Sequence, residues 1–274
     1  MLAVQRVARA TGGDVQELLT LYTLEGLLAR IAGSGHRDDF VLKGGVLLAA
    51  FDLRRPTKDI DLQAIGLPND VDLVLERVRS IALIDLDDGL VFDEHGMRAQ
   101  EIRDEDEYSG VRVRLVGALG RSRLTVGIDI NFGDPIWPHP QEIELPRLVD
   151  LGQAPLRLRG YPLAMVIAEK AVTAIERGTA NTRWRDFADV LLISTAYPFA
   201  AAELRSALEV VANHRDVELR PLLPMLESMP AIAETKWSAW RRRQARGDEL
   251  PATFAEALAG VAAFLDPVLS VAQN

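Results

Sequence analysis

The chain predicts an α/β protein of the α+β kind in two parts, a mixed sheet carrying helices followed by an all-helical half. Three observations carry that expectation. From about Leu90 to Phe132 apolar residues recur with period two, clearest in Val111-Arg112-Val113-Arg114-Leu115 and Leu124-Thr125-Val126-Gly127-Ile128-Asp129-Ile130, the alternation of half-buried strands. From Pro162 onward the period is helical throughout. Between the two, Trp137 to Gly160 holds four prolines and little periodicity, which places the boundary there and divides the chain into domains 1–150 and 151–274.

Taken in order, Asp14 with Glu17 three residues later forms a capping-box pattern ahead of Leu18, Leu19, Leu21, Leu24, Leu27, Leu28 and Ile31 at helical spacing. The first element is therefore expected to be a helix over 14–33, ending near Gly33-Ser34-Gly35. Phe40-Val41-Leu42 reads as a short strand, Gly44-Gly45 turns it into a helix through Val46 to Phe51, and Pro56 separates that helix from the strand Asp59-Ile60-Asp61-Leu62. Asp70 caps a helix with Val71, Val74, Leu75 and Val78 on one face. Gly117 to Arg123 reads as the loop of a hairpin. Five helices are then expected, over Leu163 to Ile175, Trp184 to Thr195, Ala200 to Asn213, Ala231 to Arg246 and Phe254 to Val271.

Composition narrows the function classes. The 274 residues suffice for a full core, and 48% hydrophobic with 26% charged residues is ordinary for a globular chain. With no cysteine, disulfides, thiolate metal sites and cysteine nucleophiles drop out. No apolar run approaches the roughly 20 residues of a membrane span, and Asp14 to Glu17 interrupts any leader segment, so a cytoplasmic protein is expected. A net charge of -9 opposes general nucleic-acid affinity, and any contact with RNA must come from a local patch.

Side chains two apart on a strand share a face, so Asp59 and Asp61 have Cα atoms roughly 7 Å apart and carboxylates able to converge on one ion. Magnesium takes hard oxygen ligands, usually one or two carboxylates completed by water and substrate phosphates. Asp129 would add a third carboxylate if its strand neighbours theirs, and a carboxylate shared between two ions roughly 4 Å apart is the arrangement of two-metal phosphoryl transfer. Gly44 and Gly45 leave backbone N–H groups open to phosphate oxygens at a helix start. Lys43 beside that turn is either a phosphate partner or a surface cation. Lys170, inside an apolar helix, either snorkels or pairs with Glu169 or Glu176. Arg183 and Arg185 suit phosphates, whereas Asp186 and Asp189 are equally well explained as acids near a helix start.

Lys43-Gly44-Gly45, Thr57-Lys58-Asp59-Ile60-Asp61, Ile128-Asp129-Ile130-Asn131-Phe132-Gly133-Asp134-Pro135, and Glu169-Lys170-Ala171 followed by Arg183-Trp184-Arg185-Asp186-Phe187-Ala188-Asp189 together resemble the AbiEii/AbiGii toxin family over about residues 38–195. These are nucleotidyltransferase-like toxins of type IV and related toxin–antitoxin systems, including mycobacterial tRNA-modifying ones. The resemblance implies a DNA-polymerase-β-like nucleotidyltransferase core followed by a helical domain. It implies Asp59 and Asp61 as magnesium ligands, Lys170 as the residue holding the triphosphate, and Asp186 as completing the site. Lys58 and Arg183 join Gly44, Gly45, Thr57 and Lys170 as nucleotide-binding candidates, with a nucleoside triphosphate as substrate. It also implies a cognate antitoxin and addition of nucleotides to the 3′ end of tRNA, which blocks aminoacylation. Thr57 stands where the family usually has Ser or Thr; its phosphorylation would place roughly -2 of charge beside the metal site.

For an RNA acceptor, Lys236, Arg241, Arg242, Arg243 and Arg246 interleaved with Trp237 and Trp240 form the densest basic segment, suited to stacking on unpaired bases. The same segment reads more simply as an amphipathic helix with both tryptophans in the core and a solvated basic face. Arg112, Arg114, Arg121 and Arg123 form a second candidate patch. Two other functions fit the same motifs: transfer to a small-molecule or protein hydroxyl, and a non-catalytic regulatory partner that binds a nucleoside triphosphate.

Overall fold

A helix that the periodicity does not announce opens the chain. In the computed structural model, which describes residues 2–103, 109–150, 152–244 and 246–270, α1 (Leu2–Thr11) precedes α2 (Val15–Gly33) and packs on it. α1 buries only Val4 and Ala8, side chains too small for the strong apolar stripe that marks α2. Asp14 is the N-cap of α2, its carboxylate accepting the Glu17 N–H at 2.8 Å. β1 (Phe40–Lys43) enters the four-residue α3 (Gly44–Leu47), and Leu48–Phe51 then tightens to a 3-10 turn in place of a continuous helix. β2 (Asp59–Ala64) follows, then α4 (Val71–Ala82), where Asp70 accepts the N–H groups of Asp72 and Leu73 at 3.0 and 2.9 Å.

The period-two region becomes β3 (Leu90–Phe92), β4 (Arg98–Arg103), β5 (Ser109–Leu119) and β6 (Ser122–Asn131). The β5–β6 hairpin is tighter than the Gly117 to Arg123 loop expected from sequence. Pairing continues to Leu119↔Ser122, leaving Gly120 and Arg121 as the turn, and Gly120 takes the positive φ of 61° that such a turn needs. The proline-rich stretch carries two further strands, β7 (Gln141–Leu145) and β8 (Leu156–Gly160). Each does alternate, with Ile143, Leu145, Leu156 and Leu158 buried, but the flanking prolines hide so short a pattern.

Among the described residues eight strands form one mixed sheet in the order β3-β5-β6-β2-β1-β8-β7, with β4 also on β5. β2 runs parallel to β6 and β1 parallel to β8, while the other pairs are antiparallel. One face presents Ile60, Leu62, Val111, Val113, Leu115, Val126, Ile128 and Ile130, all buried. α2 packs on β6 and α4 on β5. The opposite face of β2 and β6 carries the half-buried Asp59, Asp61 and Asp129.

The chain forms two compact units, Met1–Asp134 with Pro140–Tyr161, and Pro135–His139 with Pro162–Asn274. The second is helical, as expected. α5 (Leu163–Arg177), α6 (Trp184–Ala196), α7 (Ala201–His214), the short α8 (Leu222–Met225), α9 (Met229–Arg241) and α10 (Phe254–Leu269) build it, and α10 touches α6, α7, α8 and α9. Val271, the expected end of the last helix, lies outside the described residues. Thr253 and Glu256 start α10 with a reciprocal capping box. Phe254 receives the rings of Phe187, Trp237 and Trp184 edge-on, with centroids at 5.1, 5.7 and 5.9 Å.

Trp237 is fully buried and its indole N–H donates to the Pro251 carbonyl at 3.1 Å. Trp237→Ala is therefore expected to cost about 3–5 kcal/mol of stability, measured by chemical denaturation. A loss below about 1 kcal/mol would mean that the aromatic cluster does not hold the helical unit.

Candidate functional site

The acidic motif is positioned by strand register. β2 and β6 pair in parallel with Asp59 opposite Gly127 and Asp61 opposite Asp129, so the condition that makes Asp129 a third carboxylate, adjacency of the two strands, is met. On either side the same transverse row continues with Lys43 of β1 opposite Asp61 and Arg112 of β5 opposite Asp129. Cross-strand partners share a face. The row thus reads cation, carboxylate, carboxylate, cation across four strands.

Two glycines make room for the aspartates. A Cβ at Gly44 would stand 1.9 Å from Asp61 Oδ2, and Gly44 also has φ of 65°, so both space and conformation demand glycine. At Gly127 a Cβ would lie 2.3 Å from Asp59 Oδ1. A Cβ at Gly45 would meet the Arg55 guanidinium at 3.0 Å, which puts a cation beside the start of α3. Gly127 and Arg55 went unremarked in the sequence. A glycine inside a β-branched strand, two residues before an aspartate on the same face, is the signal that could have found Gly127; Arg55 has no such signal.

Lys43 is not a surface cation. It is 7% exposed, its Nζ lies 3.2 Å from Asp134 Oδ2 and 5.1 Å from the centre of the Tyr161 ring. Gln63, 1% exposed, has its amide oriented to accept the Gly133 and Asp134 N–H groups, both at 3.2 Å, and to donate to the Asp134 carboxylate at 3.1 Å. Asp134 is thereby the hub of a buried polar network just past the end of β6. Thr57 precedes β2 and its hydroxyl donates to the Asp59 carbonyl at 3.2 Å, while Lys58 is exposed.

Arg112 is the second cation of the row. Its Nε and Nη2 donate to Asp129 Oδ1 and Oδ2 at 2.7 and 2.5 Å, a bidentate fork. The hydrogen bond that it donates to Asp129, helped by the charges of Asp129, Asp59 and Asp61 and opposed by burial, raises the guanidinium pKa above its ordinary range. Arg112 therefore leaves the proposed RNA patch and belongs to the acidic group; Arg114, Arg121 and Arg123 remain exposed. Its place on the aspartate face follows from the alternation of β5, in which Val111, Val113 and Leu115 point to the core.

As arranged, the described residues include no group of three or more His, Cys, Asp or Glu placed to hold a metal ion, and Asp129 has both oxygens on Arg112. Asp59 and Asp61 by themselves fit magnesium, which needs only one or two carboxylates when phosphates and water complete the shell. The glycine space around both carboxylates is consistent with that use.

The second unit holds the other candidates. Lys170 Nζ reaches Asp186 Oδ1 at 2.5 Å and Asp189 Oδ2 at 2.8 Å, so its partners include two acids of α6 that the sequence did not single out for it. Asp189 is 1% exposed, which a mere helix-start acid would not be. Arg183, the N-cap residue of α6, donates its backbone N–H to Asn181 at 2.8 Å, and its side chain and that of Arg185 are exposed. In the basic segment Trp237 is core, Arg241 donates to the Leu250 carbonyl at 3.0 Å and Arg246 to Glu249 at 2.7 Å, while Lys236 lies 5.8 Å over the Trp184 ring. The stacking reading of Trp237 is therefore excluded by burial, and Trp240 is half-buried. A cleft of about 690 Å³ between the ends of α7 and α10 includes none of the candidate residues in its lining.

Residues 26–260 match the family described as nucleotidyl transferase AbiEii toxin, type IV TA system. Among solved structures the chain is similar to JHP933 from Helicobacter pylori, with 16% identity, 93% of each chain covered and a TM-score of 0.53. It is also similar to a candidate nucleotidyltransferase from H. pylori, with 16% identity, 93% of this chain and 96% of that one covered, and a TM-score of 0.52. At that identity the likeness is one of fold. No curated protein matches the chain.

Gly44→Ala is expected to destabilise the chain by about 1–3 kcal/mol through the left-handed backbone alone and to displace the Asp61 carboxylate, which denaturation and a variant structure would record. Lys170→Met leaves the buried Asp189 and the neighbouring Asp186 without this cation and is expected to cost about 3–5 kcal/mol. Adding Asp189→Asn should recover part of that loss; no recovery would mean the pair is not coupled.

Proposed function

The chain belongs to the AbiEii nucleotidyl transferase toxins of type IV toxin–antitoxin systems, and we propose that it transfers a nucleoside monophosphate from a nucleoside triphosphate to the 3′ end of a tRNA, using magnesium held by Asp59 and Asp61. The observation that carries the reading is the parallel register of β2 and β6, which ranges Asp59, Asp61 and Asp129 on one face beside Gly44. When bound, magnesium would polarise the phosphates and favour ionisation of the acceptor hydroxyl. The backbone at Gly44 and Gly45 offers N–H groups to phosphate oxygens, and Lys58 adds a cation in the same unit; in the helical unit, taken by itself, Lys170 and Arg183 are the nucleotide-binding candidates. Asp186 orients Lys170 through their 2.5 Å contact. In the transfer the acceptor 3′ hydroxyl gives up its proton to solvent and its oxygen bonds to the α-phosphorus as the bond to pyrophosphate, the leaving group, breaks.

Membership in a type IV system implies a cognate antitoxin. Thr57, hydrogen-bonded to the backbone of Asp59, is the proposed point of covalent control: a phosphate there would repel the incoming triphosphate.

Incubation with labelled triphosphates and total RNA identifies the acceptor. Label is expected in tRNA, and Asp59→Ala is expected to abolish both that labelling and growth inhibition. Persistent RNA labelling by purified Asp59→Ala protein would overturn the mechanism, and label confined to protein or small molecules would overturn the acceptor.

A further inference from the structure

The charged row across β1, β2, β6 and β5 contains one contact that nucleotide transfer does not call for. Arg112 and Asp129 face each other in register and meet as a two-bond fork at 2.7 and 2.5 Å. Asp129 is 15% exposed and Arg112 34%, so the pair is partly withdrawn from solvent screening. A carboxylate held on both oxygens by a planar guanidinium keeps one fixed orientation. The same guanidinium lies in the field of Asp59 and Asp61. At the other end of the row Lys43 is engaged with Asp134.

Three carboxylates on two adjacent strands repel one another, and a divalent cation is one way to relieve that repulsion. Arg112 is another, and it comes from the chain itself. We infer that Arg112 is the resident counter-ion of the acidic group and holds Asp129 out of divalent-cation coordination, so that filling the aspartate site releases the Arg112–Asp129 fork. The inference rests on reading Asp59 and Asp61 as cation ligands. It makes the third carboxylate conditional: Asp129 is delivered to the site only when a cation outcompetes Arg112. Because Arg112 and the cation oppose each other's hold on Asp129, each weakens the other by the same factor.

Manganese titrated into the full chain without nucleotide, followed by the paramagnetic resonance of free Mn²⁺, tests this without relying on activity. Arg112→Lys retains the charge and loses the fork, and is expected to bind Mn²⁺ roughly tenfold more tightly, the scale of one hydrogen bond to a charged group. Arg112→Gln is expected to shift affinity in the same direction and further. Asp129→Asn in the Arg112→Lys background is expected to cancel the gain. Unchanged or weaker binding in Arg112→Lys, or a gain that survives Asp129→Asn, overturns the inference. Weaker triphosphate binding with unchanged Mn²⁺ affinity also overturns it, assigning Arg112 to the substrate. Asp59→Asn separates the two levels: loss of Mn²⁺ binding in every background upholds the cation site whatever Arg112 does, whereas retained binding removes the site and the inference together.

Discussion

The parallel pairing of β2 with β6 is the constraint on which the first unit's candidate site depends. It fixes Asp61 abreast of Asp129 and Asp59 abreast of Gly127, and a slip of β2 by one residue would turn Asp59 and Asp61 toward the apolar face, away from Asp129. Neighbouring strands are about 4.8 Å apart, so adjacent carboxylates repel by about 3 kcal/mol at the effective dielectric of a protein surface. Such a cost persists only where something answers it. Here the answer at one end of the row is Arg112 on Asp129, while Lys43 at the other end is engaged with Asp134.

The same row explains why glycine appears where it does. Gly44 and Gly127 each leave vacant, by lacking a Cβ, the volume that a neighbouring carboxylate fills. The first residue of α3 is thus defined by Asp61, two segments away in sequence, and the short helix begins where the acidic side chain ends. In the helical unit the logic is repeated at smaller scale. Lys170 sits between Asp186 and the almost fully buried Asp189, so a single cation ties α5 to α6.

Much of this was legible in the sequence, for physical reasons that differ by residue. Period-two and helical spacing are consequences of which face is buried, so the mixed sheet and the helical second half could be read directly. Asp59-Ile60-Asp61 and Asp129 could be read as candidates because alternation places them on the solvent side of their strands. The adjacency of those strands could not, because parallel pairing joins segments nearly 70 residues apart and leaves no local mark. Arg112 was misplaced in a hairpin patch for the same reason: its partner is defined by register rather than by neighbours in the chain. Lys43 and Gln63 look like ordinary polar residues until the sheet buries them around Asp134. β7 and β8 were obscured by prolines that flank them without entering them, and α1 by the smallness of its buried side chains.

Diffraction from crystals grown with Mn²⁺ and a non-hydrolysable nucleoside triphosphate bears most directly on the central claim, that the aspartate face is a cation site kept in balance by Arg112. Anomalous scattering would locate the ion without assumption. The account predicts a manganese peak held by Asp59 and Asp61, with the Arg112–Asp129 fork opened. A peak elsewhere, or one at Asp59 and Asp61 with the fork intact and Asp129 outside the ion's reach, would contradict it.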